Sequence, residues 1–578
     1  MERPITLGGY PAKQCPRRTH NQFSPGAPPR PAPDPELQAM FDDGIAFEAD
    51  IVTMLREQFA GSPSDLLIFD PQMDWHRCQE LTLDALRAGV AIIVGGRLPD
   101  INGRVGAPDV LLQHGGGYLP VDVKHHHTMK PAGPSKAVTV STLASPTQHH
   151  TRAGYSNTAG HWRDDTMQLA HYTRMLQDLG YHATSPGADT PKGLLVGGII
   201  GTSDLTDLLE VSYGIVWYEL ATPAEKTYSA TASGHRTLRS PLQRYDHEFA
   251  FRMKVAAAAQ AGTELVRPYR TTECGSCEWF DYCTQAAGPD DASFALRTGH
   301  LNARQWHHLY RTAGIKGHLT VQQLATIDPA EHAEAFIDQS IGTTTPQRTL
   351  ENAIRRARMT LAGLDLQPRG GSWPTPPTAD IEVDFDIEWD TDGRIYQWGL
   401  RIRDGHDDTT ARYQPIISFE ALDSEREAAL AAQFADTIVA LRARAALTGK
   451  SLTVFHWSHP EISQTRKFPR VAAALNGITV DLLAWFNAEF FAITSSSLKN
   501  VAPLFGFQWG VDDPGGRASQ GKIAQARQGG PDSAAARQWC LDYNESDVHA
   551  QAAIRDGIRH QSPTAAPARL PAAAGDRT

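Results

Sequence analysis

Residues 103–127 of the chain are G-R-V-G-A-P-D-V-L-L-Q-H-G-G-G-Y-L-P-V-D-V-K-H-H-H, and this pattern predicts two short strands joined by a glycine turn. The first strand follows Pro108-Asp109, and the second returns through Asp122 to Lys124. Because residues two apart in a strand share one face, Asp122 and Lys124 point the same way. With Asp109 facing them, two carboxylates and one ammonium form a site for a hard divalent cation, as phosphodiester hydrolysis requires.

The bulk composition indicates a large chain of about three domains. It has 578 residues, of which 41% are hydrophobic. The sequence contains no apolar run of membrane-spanning length and no apolar signal-peptide core near its start, so we expect a cytoplasmic protein without a membrane partner. The net charge of −11 does not indicate nucleic-acid binding. It does not exclude it either, because clustered carboxylates lower the total while a binding groove stays locally basic.

Hydrophobic spacing outlines the elements around the predicted hairpin. Helices are predicted at 36–59, 81–88, 167–179 and 238–261, and strands at 90–94, 194–201 and 214–219. The first helix carries Glu48, and the third carries Gln168 and Tyr172 one turn apart on one face. Residues 128–160 are polar and poorly periodic, so we predict a surface insertion or mobile loop there.

The residues assembled from these elements are Glu48, Asp109, Asp122, Lys124, Gln168 and Tyr172. Their arrangement resembles the PD-(D/E)xK nuclease superfamily, and its RecB-like branch in particular. Pro108-Asp109 is similar to the PD element, Asp122-Val123-Lys124 to the (D/E)xK element, and Gln168-x-x-x-Tyr172 to the Q-x-x-x-Y motif. The resemblance implies that Asp109 and Asp122 hold Mg²⁺ or Mn²⁺ with help from Glu48. Lys124 would then position water or stabilise developing charge, and Gln168 and Tyr172 would orient the strand or the lysine.

A cysteine cluster follows this region. The six cysteines are Cys15, Cys78, Cys274, Cys277, Cys283 and Cys540. Three of them form the pattern C-x2-C-x5-C from Cys274 to Cys283, which indicates a metal site that needs a fourth ligand. Some RecB-like nucleases, which this pattern resembles, hold a structural 4Fe–4S cluster with one Cys before the nuclease core and three after it. That resemblance implies Cys15 as the fourth ligand, with Cys78 as a competitor and Zn²⁺ as the alternative metal.

A second module is predicted after an all-helical segment at 290–366 and a Gly/Pro-rich linker at 367–380. I-E-V-D-F-D-I-E-W, residues 381–389, alternates strictly and is a predicted strand. Its hairpin partner is predicted at 396–403. Further predictions are a helix at 422–447, a strand at 451–456, an amphipathic segment at 482–491, a closing helix at 534–558 and a disordered Ala/Pro-rich tail.

This module contains a second acidic site. Asp386 and Glu388 share one strand face, and Tyr543 and Asp547 lie one helical turn apart. With Glu461, the set resembles the DEDD exonucleases of the RNase H-like fold, which use two metal ions. In that resemblance Tyr543 holds the attacking water. The chain departs from the pattern at Glu461, where the family has Asp, and Asp481 competes for this role.

The order of the modules resembles a bacterial family of predicted RecB-like nucleases fused to a C-terminal RNase H-like domain. The expected fold is α/β: a restriction-endonuclease-like core with an Fe–S clasp, a helical connector, a linker, an RNase H-like domain and a disordered tail. The corresponding ranges are 1–290, 291–366, 367–380, 381–560 and 561–578.

The resemblance implies a metal-dependent nuclease. We expect hydrolysis of DNA, as an exonuclease on single strands or ends, in repair, recombination or defence. Two alternatives remain: an RNA-processing nuclease that uses the C-terminal site, and a nucleic-acid-binding protein with an inactive RNase H-like domain. The sequence contains no G-x4-G-K-[ST] motif, so any helicase activity is expected from a partner.

Overall fold

The structure is a computed structural model that describes residues 4–33, 35–62, 64–157, 159–184, 195–229, 231–232, 236–339, 346–512 and 514–560. The predicted disordered tail at 561–578 lies outside the described residues. The helices are α1 Pro16–Phe23, α2 Pro35–Gln58, α3 Trp75–Ala88, α4 Ala159–Leu179, α5 Thr206–Leu209, α6 Pro241–Gln260, α7 Phe280–Ala287, α8 Ala292–Ala295, α9 Ala303–Thr312, α10 Val321–Thr326, α11 Pro329–Gln339, α12 Pro346–Ala362, α13 Ser424–Thr448, α14 Pro460–Thr465, α15 Pro469–Leu475, α16 Leu482–Glu489, α17 Leu498–Val501, α18 Gly516–Gln528 and α19 Ser533–His560.

The described residues also form strands, so the mixed α/β prediction is confirmed. They are β1 Leu66–Ile68, β2 Ile92–Val94, β3 Leu98–Ile101, β4 Arg104–Gly106, β5 Val110–His114, β6 Gly117–Val123, β7 Met129–Pro131, β8 Ala137–Thr142, β9 His150–Ala153, β10 Tyr155–Asn157, β11 Val196–Ile200, β12 Gly214–Glu219, β13 Glu225–Tyr228, β14 Arg236–Arg239, β15 Leu366–Pro368, β16 Ile381–Trp389, β17 Ile395–Asp404, β18 Arg412–Ile417, β19 Leu452–His456, β20 Thr479–Asp481 and β21 Phe490–Ala492.

The predicted hairpin lies at the centre of an eight-stranded sheet with the order β1-β2-β5-β6-β11-β12-β8-β9. Strands β5 and β6 pair antiparallel, and β6 pairs parallel with β11 on its other side. The sheet is covered on one face by Ile51 and Leu55 of α2 and on the other by Met175 of α4. Gly117 is required in the hairpin, because a Cβ there would lie 2.5 Å from the carbonyl oxygen of His182.

The predicted surface insertion at 128–160 is wrong for most of its length. The segment forms four short strands, β7 to β10, and β8 and β9 extend the main sheet. Val138 and Val140 are buried and alternate with polar residues, which is the pattern of a strand with one covered face. The high Ser/Thr/Gly content of the segment concealed this short alternation.

Three helices begin three or more residues away from the predicted positions: α3 and α6, which polar side chains cap, and α4, which begins at Ala159 rather than at residue 167. Helix α3 begins at Trp75, where the Asp74 carboxylate accepts hydrogen bonds from the amides of His76 and Arg77. Helix α6 begins only at Pro241, after a strand that covers the predicted first turn, and Ser240 supplies its capping box.

The segment from 290 to 366 is largely helical, as predicted, and has its own core around Trp306, Tyr310 and Phe336. The predicted linker at 367–380 differs from a free spacer. Its first residues belong to β15, which pairs with β21, and the Trp373 indole donates a 2.8 Å hydrogen bond to the Ile558 carbonyl. The linker therefore packs against the C-terminal region.

The C-terminal sheet has five strands in the order β18-β17-β16-β19-β20. The first three are antiparallel, whereas β16, β19 and β20 run parallel. The odd-numbered side chains of β16, such as Val383 and Phe385, pack into a core with Phe434 of α13. The even-numbered side chains therefore face α19 on the opposite side.

Among the described residues, no helix combines the length and apolar character needed to cross a membrane.

Candidate functional site

Strand β16 carries four acidic side chains on the face that meets α19. They are Glu382, Asp384, Asp386 and Glu388. The first two are neutralised: Arg403 and Arg555 lie 2.7 Å and 3.0 Å from a Glu382 oxygen, and Arg555 also pairs with Asp384. Buried charges are stable only when paired in this way, so these two carboxylates hold α19 to the sheet.

The second two carboxylates form a different environment. Ligand oxygens of Asp386, Glu388 and Asp547 all lie within 4.8 Å of one another. In the part of the chain that the structure describes, neither Asp386 nor Glu388 has an ion-pair partner within 4.0 Å. Burial, followed by the charge of Asp547, raises the pKa of Glu388 to about 8 and that of Asp386 well above its usual range. Three carboxylates this close can all ionise when a divalent cation binds between them, and the donor set is one that Mg²⁺ or Mn²⁺ accepts.

Neutral donors orient these three carboxylates. Asn544 donates to Asp386 at 2.9 Å, Ser519 to Glu388 at 2.7 Å, and the Trp509 indole to Asp547 at 2.7 Å. Such partners fix a ligand without cancelling its charge. Sequence reasoning missed all three. Asn544 lies inside the Y-N-E-S-D segment that carries the motif, but Ser519 and Trp509 come from segments without a recognisable signal.

Lys499 is a further residue that sequence reasoning left without a role. Its ammonium lies 2.9 Å from the Tyr543 hydroxyl and 3.6 Å from an Asp547 oxygen. Burial lowers the pKa of Lys499, although the charge of Asp547 opposes this shift. Burial and Glu388 raise the pKa of Tyr543, so the phenol stays neutral. The stretch S-L-K-N around Lys499 is the signal that could have identified it.

Glu461 lies at the edge of this site rather than within the close group. Its charge acts on Asp386, whereas its own pKa is raised to about 8 by burial and by the nearby Asp481 and Asp547. The competing candidate, Asp481, accepts a 2.9 Å hydrogen bond from the amide of Ala484 and caps α16. Of the two candidates, Glu461 has the carboxylate whose charge acts directly on the acidic group.

The raised pKa of Glu388 predicts pH-dependent metal binding at this site. Below about pH 8 the group holds a proton that a metal ion must displace, so affinity rises with pH. We expect Mn²⁺ to bind about tenfold or more tightly at pH 8.5 than at pH 6.5 in the Asp122→Asn variant, measured by calorimetry. Adding Glu388→Gln should weaken this dependence, and equal affinity at both pH values in the Asp122→Asn variant would contradict the prediction.

The N-terminal site is centred on Lys124, just beyond the end of β6. Its ammonium lies 2.9 Å from Asp122 and 3.9 Å from Asp109. Although burial opposes it, the charges of Asp122 and Asp109 raise the pKa of Lys124 well above its usual range. The amide of Val123 donates to Asp109 at 2.7 Å. Asp122 is fully buried, and its Oδ1 accepts no hydrogen bond from the described residues.

The remaining predicted residues lie around this group. Gln168 donates to the Tyr172 hydroxyl at 3.2 Å, and burial and the charge of Asp122 raise the pKa of Tyr172 well above its usual range. Burial raises the pKa of Glu48, and the charges of Lys124 and Asp122 also act on it. Within the described residues, however, the three N-terminal carboxylates do not reach the 4.8 Å mutual spacing of the C-terminal group.

A second lysine accompanies the N-terminal site and was not predicted. Lys13 donates to the Gln168 side chain at 3.3 Å, and its pKa is lowered by burial and by the charge of Lys124. It lies two residues before Cys15, in the segment that sequence analysis associated only with the cysteine cluster. No motif around Lys13 indicated this position.

Four cysteines line one cavity: Cys15, Cys274, Cys277 and Cys283. Burial raises the pKa of Cys15 to about 12 and that of Cys277 to about 11, so their thiolates require a metal partner. No three of these sulfurs lie within 4.8 Å of one another. Four thiolates around a single Zn²⁺ would be about 3.8 Å apart, given Zn–S bonds of about 2.3 Å. The four sulfurs are therefore not at the spacing of a single zinc site in this structure. Cys78 lies elsewhere, beside the Gly95 carbonyl.

The C-terminal sheet order and the acidic group on its central strand define an RNase H-like domain. Residues 383–558 match the RNase_H_2 family model of the RNase H superfamily. This region of the chain is therefore an RNase H-like domain, a class that supports nuclease-type activity on nucleic acid. Neither the curated proteins nor the solved structures contain a significant match to the chain.

Proposed function

We propose that this chain is a metal-dependent nuclease that hydrolyses DNA, as an exonuclease on single strands or ends. The observation that carries the proposal is the close group of Asp386, Glu388 and Asp547, which pairs with no arginine among the described residues. The other two carboxylates on the same face of β16 are neutralised by arginines. A protein that used this face only for packing would gain stability from neutralising all four. Asp386 and Glu388 have no ion-pair partner among the described residues, and Asp547 has only Lys499 at 3.6 Å. Three close carboxylates with one cation beside them favour metal binding instead.

At the C-terminal site, Asp386, Glu388 and Asp547 would hold Mg²⁺ or Mn²⁺, and Glu461 would complete the set. The bound cation would lower the pKa of water and neutralise charge at the scissile phosphate. Tyr543 would orient the attacking water through its hydroxyl. Lys499 contacts that hydroxyl at 2.9 Å and therefore fixes its position.

At the N-terminal site, Asp109 and Asp122 would hold the cation with Glu48 assisting, as in the PD-(D/E)xK nucleases that the motifs resemble. Lys124 keeps its charge beside these two carboxylates and would stabilise the negative charge that develops on the phosphate. Gln168 fixes the Tyr172 hydroxyl, and together they would orient the incoming strand or the lysine. Strand separation ahead of this site would come from a partner helicase.

The cysteine cavity would hold a structural 4Fe–4S cluster, which would join the segment before the nuclease core to the segment after α6. Protein purified without oxygen should contain about four iron atoms per chain and absorb near 400 nm. Cys277→Ser should remove most of the iron, whereas Cys78→Ser, the matched control outside the cavity, should retain it. Stoichiometric zinc without iron would favour the alternative metal, and a metal-free protein would contradict both.

An RNA-processing nuclease is the second candidate, because the C-terminal site is the one where three ligand atoms already lie close together. The experiment is to incubate the full chain with labelled single-stranded DNA, duplex DNA and RNA in Mg²⁺ or Mn²⁺. We expect cation-dependent cleavage of DNA that EDTA abolishes. Cleavage of RNA alone would favour the second candidate, and binding without cleavage of any substrate would contradict the nuclease proposal.

A further inference from the structure

A concave basic pocket of about 170 Å³ lies apart from both candidate active sites. Its walls come from the first turns of α4, the β13–β14 hairpin, helix α6 and helix α9 of the connector. Five basic side chains and two carboxylates line it. In a protein with a net charge of −11, this local excess of positive charge attracts anions.

Both carboxylates of the basic pocket are already paired. Glu225 is buried and lies 3.0 Å from Arg244 and 3.4 Å from Arg163. Glu248 lies 2.8 Å from Arg252, which does not line the pocket. The two carboxylates therefore do not neutralise the remaining cations of the pocket by direct ion pairs.

Lys226, Arg239 and Arg304 have no carboxylate within 4.0 Å among the described residues. Arg239 donates to neutral groups only: the Thr227 hydroxyl and, at 2.7 Å, the Tyr228 carbonyl. The Arg304 guanidinium lies over the Tyr228 ring, 4.2 Å from its centre. Tyr228 thus separates and orients two arginines that point at the same space, an arrangement that suits bidentate recognition of a tetrahedral anion.

The electrostatics of Arg304 agree with this geometry. Burial lowers its pKa, Glu248 offsets part of the shift, and the neighbouring Arg239 lowers it further. A dianion placed between the two guanidinium groups would outweigh the repulsion between Arg239 and Arg304. It would also compensate for the lowering of the Arg304 pKa by burial. An anion bound in the pocket would therefore stabilise the charged forms of Arg239 and Arg304.

The position of the pocket connects it to the N-terminal site. Arg163 in its wall and Gln168 beside the active site both belong to α4. They are five residues apart, about 7.5 Å along the helix axis and about 140° around it, so a strand that reaches both positions passes around the first turns of α4. We propose that the basic pocket binds a phosphate group of the DNA strand that occupies the N-terminal site. This inference rests on the proposed function, and the phosphate is either a backbone phosphate or a terminal 5′-phosphate.

The test measures DNA binding without cleavage, in the full chain with Asp122→Asn and Asp386→Asn. Adding Arg239→Gln and Arg304→Gln should weaken binding of a single-stranded 20-mer about tenfold to a hundredfold. The log–log salt slope should fall by about 0.7, because one phosphate contact of a single strand is lost. The matched control is Arg77→Gln with Arg87→Gln, two exposed arginines of α3 that do not line the pocket.

Comparing 5′-phosphorylated and 5′-hydroxyl 20-mers distinguishes the two sources. Equal weakening of both assigns a backbone phosphate, and weakening of the phosphorylated strand alone assigns a terminal phosphate. Unchanged binding of both strands, or an equal loss in the α3 control, would overturn the inference. If circular dichroism shows that the arginine variant is unfolded, Lys226→Gln decides in its place, because this side chain is exposed. Pocket-dependent binding by a parent chain that cleaves no DNA would refute the proposed function but not the pocket.

Discussion

Asp122→Asn is expected to reduce DNA cleavage by the N-terminal site at least a thousandfold, roughly 4 kcal/mol of lost transition-state stabilisation. The Asp122 carboxylate is fully buried and lies 2.9 Å from Lys124. An amide of the same shape preserves packing but removes the charge that would hold the cation and that keeps Lys124 protonated. The measurement is the initial rate of digestion of labelled DNA by Asp122→Asn in the Asp386→Asn background, relative to Asp386→Asn alone.

Asp207→Asn serves as the control, since Asp207 is an exposed aspartate in the first turn of α5, between β11 and β12. It should leave the rate within about twofold of the parent background. A rate for Asp122→Asn that equals the rate of this control would show that the hairpin does not carry the chemistry. Folding of the variant is checked by its circular dichroism spectrum and, independently, by its retained binding of DNA.

Arg555→Met should be the most destabilising of the changes considered outside the active sites. The guanidinium is fully buried between Glu382 and Asp384, so its removal leaves two buried carboxylates short of their counter-ion. Removing one partner of a buried ion pair costs about 3–5 kcal/mol. Because a chain of several domains does not unfold in two states, hydrogen exchange of β16 amides is the suitable measurement.

The expected result is exchange about a hundredfold to several thousandfold faster in β16 than in the parent, with the N-terminal sheet unaffected. Arg470→Met is the matched control. Arg470 forms an exposed ion pair with Asp436 in the same domain, and such pairs contribute at most about 1 kcal/mol. Similar exchange in the two variants would contradict the view that Arg403 and Arg555 separate a structural pair of carboxylates from a functional pair.

Local patterns explain which features could be predicted from the sequence. The glycine turn between two apolar runs indicated the hairpin around Asp122, and strict alternation indicated the strand that carries Asp386. The observed bounds of both lie close to those predicted. The spacing Tyr543-x-x-x-Asp547 needed only a helix, and a helix is present. At 137–142, apolar and polar residues alternate over only six positions within a segment rich in Ser, Thr and Gly. This alternation was too short to predict the strand β8.

The residues that could not be predicted depend on contacts between distant segments. Ser519 reaches Glu388, and Trp509 reaches Asp547, only because α18 and the segment before it pack beside β16 and α19. Lys499 meets Tyr543 from a short helix 44 residues earlier in the chain. Similarly, Lys13 reaches Gln168 across 155 residues. Neither hydrophobic periodicity nor a local motif indicates such long-range contacts, because only tertiary packing brings the partners together.

The most direct test of the central claim compares four proteins: the parent, Asp122→Asn, Asp386→Asn and the double variant. Each is incubated with DNA blocked at its 5′ or its 3′ end, in Mg²⁺ or Mn²⁺ and in EDTA. We predict cation-dependent digestion from an unblocked end by the parent, a loss in each single variant on the substrates its site serves, and no digestion by the double variant. Digestion by the double variant as fast as by the parent would contradict both site assignments.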